Sequence, residues 1–146
     1  MFGSKRAHAT DYTDSFGLAM AYAGDPLEVT QDGISFELLA DYPIDVSFSG
    51  DSGCLVILDE KNLLLIGGAA TSKAHIFNKD DGSWRAVSDM IEPRWDHNCG
   101  LVRGSSGSGY EVVVAGGSFN QILNNSTEIF SPDTETWRSG KKDIMI

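Results

Sequence analysis

One order of parts constrains this chain most, because it occurs twice. In "NLLLIGGAATSKAHIFNKDDGSW" (Asn62–Trp84) an apolar run exits into the glycine pair Gly67-Gly68. A polar gap follows, then a second apolar run ending at Phe77, then a lone Trp84. In "EVVVAGGSFNQILNNSTEIFSPDTETW" (Glu111–Trp137) the same parts are Gly116-Gly117, Phe130 and Trp137. The phenylalanine-to-tryptophan spacing is seven residues in both copies, whereas the gap after the glycine pair differs. A recurring pattern is a unit of architecture; the fixed spacing marks a rigid hairpin and the variable gap a loop.

Each unit reads as four short strands. "CLVILDEKNLLLIGG" is strand, charged turn (Asp59–Asn62), strand, and "CGLVRGSSGSGYEVVVAGG" repeats this with a longer turn (Arg103–Gly109). "NKDDG" and "SPDTE" supply turn chemistry before each tryptophan. The runs "LVIL", "LLLI" and "VVVA" do not alternate with polar residues, as expected of strands buried on both faces. A lone four-stranded meander cannot cover both of its faces. It needs a neighbour on each side, which is how propeller blades stack. Upstream, "GISFELLADYP" parallels "GSWRAVSDMIEP" with Phe36 in the place of Trp84, preceded by "GLAMAYAG" and "LEVT" as second and third strands. Residues 1 to 12 contain no convincing first strand. The sequence therefore predicts an all-β chain with blades of three, four and four antiparallel strands at 16–40, 53–87 and 97–139. Tails are expected at 1–15, read as disordered, and at 141–146.

These residues resemble the kelch repeat. That family places a glycine pair after the second strand, an aromatic at the end of the third and a tryptophan in the fourth. Gly67, Gly68, Phe77 and Trp84 fit the pattern, as do Gly116, Gly117, Phe130 and Trp137, and "EPRWDHNCGLV" is similar to the segment that opens a kelch blade. The resemblance implies a kelch-type β-propeller. Such rings close with four to eight blades, so about three blades imply part of a larger ring, or a ring completed by further blades or a second chain.

The resemblance also implies a function: non-catalytic binding of a protein or peptide, as adaptor or scaffold, through loops on one propeller face. Those loops are Ala40–Ser52, Ala69–Lys73, Ser88–Asn98 and Ser118–Asn125. Candidate contacts are Arg94, Trp95, Asp96, Phe119, Asn120 and Gln121. Trp95 and Phe119 would be apolar anchors and Arg94 a carboxylate-binding fork. In the competing reading, Arg94 pairs with Asp96 and Trp95 packs between blades. The alternative function, a piece of a secreted galactose-oxidase-like or glycan-active enzyme, requires tyrosine and histidine ligands from several blades. No such set is visible, and His8, His75 and His97 lack metal-ligand spacing. His97 reads as a structural residue at a strand start. No catalytic residue, metal or cofactor is expected.

Composition narrows the partners. The formal net charge of −10 disfavours nucleic acid and anionic membrane surfaces, leaving a basic or neutral partner. No apolar run approaches the ~18 residues of a membrane span. Lys5, Arg6 and Phe16–Ala23 have some features of a secretory leader, but Asp11 and Asp14 interrupt them, so "FGLAMAYA" reads as a buried strand. Cys54 and Cys99 are expected as free, buried thiols, and a cytoplasmic location follows, with an extracellular one left open. Asn124 and Asn125 each begin a glycosylation sequon, which matters only in a secretory compartment.

Overall fold

The computed structural model describes residues 9–21, 27–32, 35, 37–40, 53–68, 71–104, 107 and 109–140. His8, Gly24, Phe36, Ala69, Ala70 and positions 41–52 and 141–146 lie outside them. Three four-stranded antiparallel sheets form. The first is β1 (Ala9–Thr13), β2 (Gly17–Ala21), β3 (Leu27–Thr30) and β4 (Glu37–Ala40); the second is β5 (Gly53–Ile57), β6 (Asn62–Gly67), β7 (Ala74–Asn78) and β8 (Ser83–Ala86). The third orders β9 (Asn98–Arg103), β10 (Tyr110–Ala115), β13 (Thr127–Ser131) and β14 (Thr136–Ser139), with the small hairpin β11 (Ser118–Phe119) and β12 (Ile122–Leu123) inserted between β10 and β13. β1, β5 and β9 neighbour one another at the inner edges of the sheets.

Burial explains why the central blade's strands lack alternation. Leu63 and Leu65 of β6 pack with Leu55, Ile57 and Phe77 against Phe16, Ala19, Leu27 and Val29 of the first sheet. Leu64 and Ile66 point the other way, joining Val56, Ala74 and Ile76 against Val112, Val114 and Phe130 of the third. Every one of these side chains is buried, and each apart from the two alanines contributes roughly 1.5–3 kcal/mol relative to exposure, about 0.8 kcal/mol per methylene. β10 is buried toward the second sheet through Val112 and Val114, while Val113 on its other face is only half-buried.

The repeat extends to backbone conformation. Both members of each glycine pair have positive φ: 65° and 96° at Gly67-Gly68, 71° and 87° at Gly116-Gly117. Left-handed residues also sit two positions before each tryptophan, Gly82 at 68° and Glu135 at 55°. The amide of each bonds back to the end of the third strand, Gly82 to the Asn78 carbonyl and Glu135 to the Ser131 carbonyl. The turn holds its geometry even where glycine is replaced. Phe77 and Trp84 are cross-strand partners with ring centroids 5.1 Å apart, as are Phe130 and Trp137 at 5.0 Å. The phenylalanines are fully buried and the tryptophans half-buried.

Three expectations require correction. The first blade has four strands, because β1 lies inside the segment read as a disordered tail. "ATDYT" shows no apolar pattern; it is held by main-chain pairing with β2 and by Asp11, whose carboxylate accepts the Ile57 amide proton at 2.7 Å across the blade boundary. The thiols are not free: Cys54 of β5 and Cys99 of β9 form a disulfide with Cα atoms 6.1 Å apart, tying adjacent inner strands. Spanning 45 positions, it restricts the unfolded chain by roughly 2–4 kcal/mol. Ser118–Asn125, read only as a loop between strands, contains a hydrogen-bonded hairpin of its own.

The burial difference orders two substitutions. Phe130→Ala should cost about 3–5 kcal/mol, and Trp137→Ala, starting half-exposed, distinctly less. Denaturant midpoints measure both, and an equal or larger loss for Trp137→Ala would contradict the packing described.

Candidate partner-binding site

The link between the second and third sheets, "DMIEPRWDHN" (Asp89–Asn98), carries most of the residues of interest. At its centre Arg94 is fully buried, so it is not the surface fork the sequence suggested, nor does it pair with Asp96. Its five N–H donors are all engaged. Nε and Nη2 donate to Glu128 Oε1 at 3.2 and 3.1 Å, Nη1 to the Gly116 and Ser126 carbonyls at 2.8 and 2.9 Å, and Nη2 also to Ser126 Oγ at 2.7 Å. Glu128, itself buried in β13, additionally accepts the amide protons of Ile91 (2.6 Å) and Glu92 (3.2 Å). Two buried charges are costly unless every donor and acceptor is matched, and here they are.

This node governs the inserted hairpin. Gly116 precedes β11 and Ser126 follows β12, so one guanidinium grips both ends of the excursion. Trp95 continues the clamp, its amide and carbonyl each bonding Ser118 at 2.8 Å. The hairpin turns at Asn120-Gln121, both left-handed with φ of 49° and 65°, the geometry that two-residue hairpin turns require. Asn at the first position reduces the strain; Gln gives no such relief.

The hairpin displays apolar surface. Ile122 is 72% exposed and Leu123 86%, beside half-buried Phe119 and Trp95 at 40%. A cleft of about 330 Å³ lies against it, lined by Glu92, Pro93, Phe119, Ile122, Leu123, Asn124 and Asn125. Asp96 is exposed on the same link, with φ of 52°. Thus Trp95, Asp96, Phe119, Asn120 and Gln121 lie on or beside the hairpin, while Arg94 positions it from within. Sequence reasoning missed Ile122 and Leu123 as the most exposed large apolar side chains among the described residues, and Glu128 as the buried counter-charge. The signals were present: the polar pair Asn120-Gln121 between Phe119 and Ile122 spells a hairpin, and "STEIF" places one charge among the residues of a buried strand.

His97 locks the link against both glycine pairs. A β-carbon at Gly67 would stand 2.7 Å from the His97 ring, and one at Gly117 would overlap the Trp95 carbonyl oxygen and stand 3.1 Å from His97 Cβ. The glycines are therefore required for close approach as well as for φ. Burial, followed by the neighbouring Arg94 charge, lowers the His97 pKa to about 4, although the backbone at Ile66 and Arg94 and the Asp96 carboxylate act in the opposite sense. Neither ring nitrogen has a well-aligned hydrogen-bond partner. Among the described residues no three His, Cys, Asp or Glu side chains gather into a metal-binding group, and no helix is long and apolar enough to cross a membrane.

Comparison with known proteins places this geometry. Residues 103–142 match the kelch motif, which takes in β10, the hairpin, β13 and β14. A search of curated proteins returned no match. Among solved structures the chain is similar to one described as "Novel fungal alcohol oxidase with catalytic diversity among the AA5 family, in complex with copper", with a TM-score of 0.67 and 17% identity. The alignment covers 92% of this chain and 31% of that one, so this chain spans about a third of the oxidase's length. At that identity the likeness concerns the fold, and the three sheets correspond to consecutive blades of a propeller.

Two measurements test the site. Glu128→Ala should cost about 3–5 kcal/mol by leaving Arg94 buried without its counter-charge, whereas Arg85→Ala, which removes a solvent-exposed pair with Glu135, should cost under about 1 kcal/mol. Chemical denaturation distinguishes them, and equal losses would refute the ranking. For His97 the folded pKa lies below the usual 6.5. Its stabilising contribution is thus complete above about pH 6.5 and disappears as pH falls toward 4, to a limit of about 3 kcal/mol. His97→Gln should flatten that part of the stability-versus-pH curve; an unchanged slope would exclude His97 as its source.

Proposed function

For a chain of three propeller-like sheets whose residues 103–142 match the kelch motif, we propose that it binds a protein partner through the β11–β12 hairpin, without catalysis. The observation that carries this reading is the exposure of Ile122 and Leu123 on a hairpin that a buried ion pair holds in place. Flexible loops bear exposed apolar residues without consequence, but a rigid apolar projection has already met part of the ordering cost of binding. Trp95 and Phe119 extend the patch, and aromatic anchors dominate interface energetics. The net charge of −10 and the exposed Glu92 and Asp96 carboxylates favour a partner with basic residues flanking apolar ones. Adaptor and scaffold roles both fit such a surface.

An oxidase-type role needs a copper site, and among the described residues no three His, Cys, Asp or Glu side chains gather to hold a metal. The Arg94 charge that helps lower the pKa of the buried His97 also opposes a second cation beside it.

The proposal is tested with peptides selected from a random display library on the immobilised chain. Peptides combining apolar and basic residues should emerge, and Ile122→Ser with Leu123→Ser should weaken their binding at least about tenfold, the equivalent of 1.4 kcal/mol. Because both side chains are exposed, the thermal midpoint should stay nearly constant. Selected peptides that bind the double variant as tightly as the parent would overturn the assignment.

A further inference from the structure

The segment between β12 and β13 contains two overlapping sequons, Asn124-Asn125-Ser126 and Asn125-Ser126-Thr127, and the structure separates them. The Asn124 side chain is enclosed in a network. Its Nδ2 donates to Glu92 Oε2 at 2.7 Å, and its Oδ1 accepts from the Ser126 amide at 2.9 Å and from Ser126 Oγ at 2.7 Å. Ser126 Oγ in turn receives Arg94 Nη2. A sugar on Asn124 Nδ2 would displace Glu92 and disturb the clamp that holds the hairpin. Asn125, one residue on, is exposed at the rim of the cleft.

A second observation bears on compartment. Both cysteines of the chain are consumed in one disulfide between adjacent blades. Structural disulfides form and persist in oxidising compartments, where asparagine-linked glycans are also added to surface sequons.

We propose that Asn125 is an N-glycosylation site and that the chain matures in an oxidising secretory compartment. The donor class is an oligosaccharide carried on a lipid diphosphate. Asn125 Nδ2 forms a bond to C1 of the first sugar, the C1–O bond to the diphosphate breaks, the lipid diphosphate leaves with the bonding electrons, and the amide gives up one proton. A glycan added before folding must be accommodated by the folded chain, and the exposed Asn125 is the position where it can be, whereas Asn124 is held in the hydrogen-bond network. The glycan would stand beside Ile122 and Leu123 and restrict the direction from which a partner approaches. This assignment does not depend on the docking proposal.

The full chain is directed into the secretory route of a eukaryotic cell and recovered from microsomes and medium together. It is then treated with peptide N-glycosidase in ¹⁸O-water, which converts a glycosylated asparagine into a heavy aspartate. The expected result is a single label at position 125, retained in Asn124→Gln and reduced at least tenfold in Asn125→Gln, although the latter keeps the first sequon. Alkylation without reduction should leave Cys54 and Cys99 unmodified. An unglycosylated chain, a label at position 124, or unchanged labelling in Asn125→Gln would overturn the site; alkylated cysteines would overturn the compartment. None of these readouts involves the hairpin's apolar side chains, so failure of peptide binding leaves them intact.

Discussion

The Arg94–Glu128 pair is the interaction on which the upper part of this molecule depends. It joins three pieces of chain that sequence alone leaves separate: the link between blades, the end of β10 and the start of β13. A buried ion pair is often no more stabilising than a hydrophobic contact of the same size. Its value lies in direction. Five donors in a fixed plane meet acceptors at only one relative placement of Gly116, Ser126 and Glu128. An apolar contact would hold the same segments together without fixing the angle at which the hairpin leaves the sheet.

The node works beside a second constraint, the close approach at the glycine pairs. The His97 ring occupies the space a side chain at Gly67 would take, and the Trp95 carbonyl with His97 Cβ closes the space at Gly117, so the exit of β6, the exit of β10 and the start of β9 pack around the Trp95–His97 segment. The disulfide between Cys54 and Cys99 ties the inner strands β5 and β9, with Cys99 two positions after His97. Two blades are thereby joined at the axial end by covalent, steric and polar contacts, while Leu64, Ile66, Val112 and Phe130 join them along their faces. The parity of β6, with Leu63 and Leu65 on one side and Leu64 and Ile66 on the other, makes the second blade dependent on both neighbours.

Much of this was legible in the sequence. The runs "LLLI" and "VVVA" announced burial without alternation, and the glycine pairs announced left-handed exits; all four glycines adopt them. What escaped was held by interactions with no local pattern. β1 has too few apolar residues to register as a strand, and it exists because β2 pairs with it and Asp11 reaches across to β5. The disulfide requires knowing that β5 and β9 are neighbours, which no spacing rule provides. Arg94 looked like a surface fork because it lies in a loop between blades, Ser88–Asn98. Its partner Glu128 lies 34 positions downstream, in a strand whose other strongly marked residues are apolar.

The two complete repeats differ most between the glycine pair and the third strand, and that difference is informative about energetics. Ordering each added residue costs about 1–2 kcal/mol of backbone entropy, so a longer excursion needs compensation if it is to be structured. Here the compensation is local: β11 pairs with β12, Trp95 pairs with Ser118, and Arg94 closes the base. None of it comes from burying Ile122 or Leu123, which remain 72% and 86% exposed. Polar residues at those two positions would keep the main-chain bonds and remove the apolar exposure. The hairpin's rigidity is therefore explained by the fold, whereas its apolar tip is not, and that unspent surface is where a binding role must be sought.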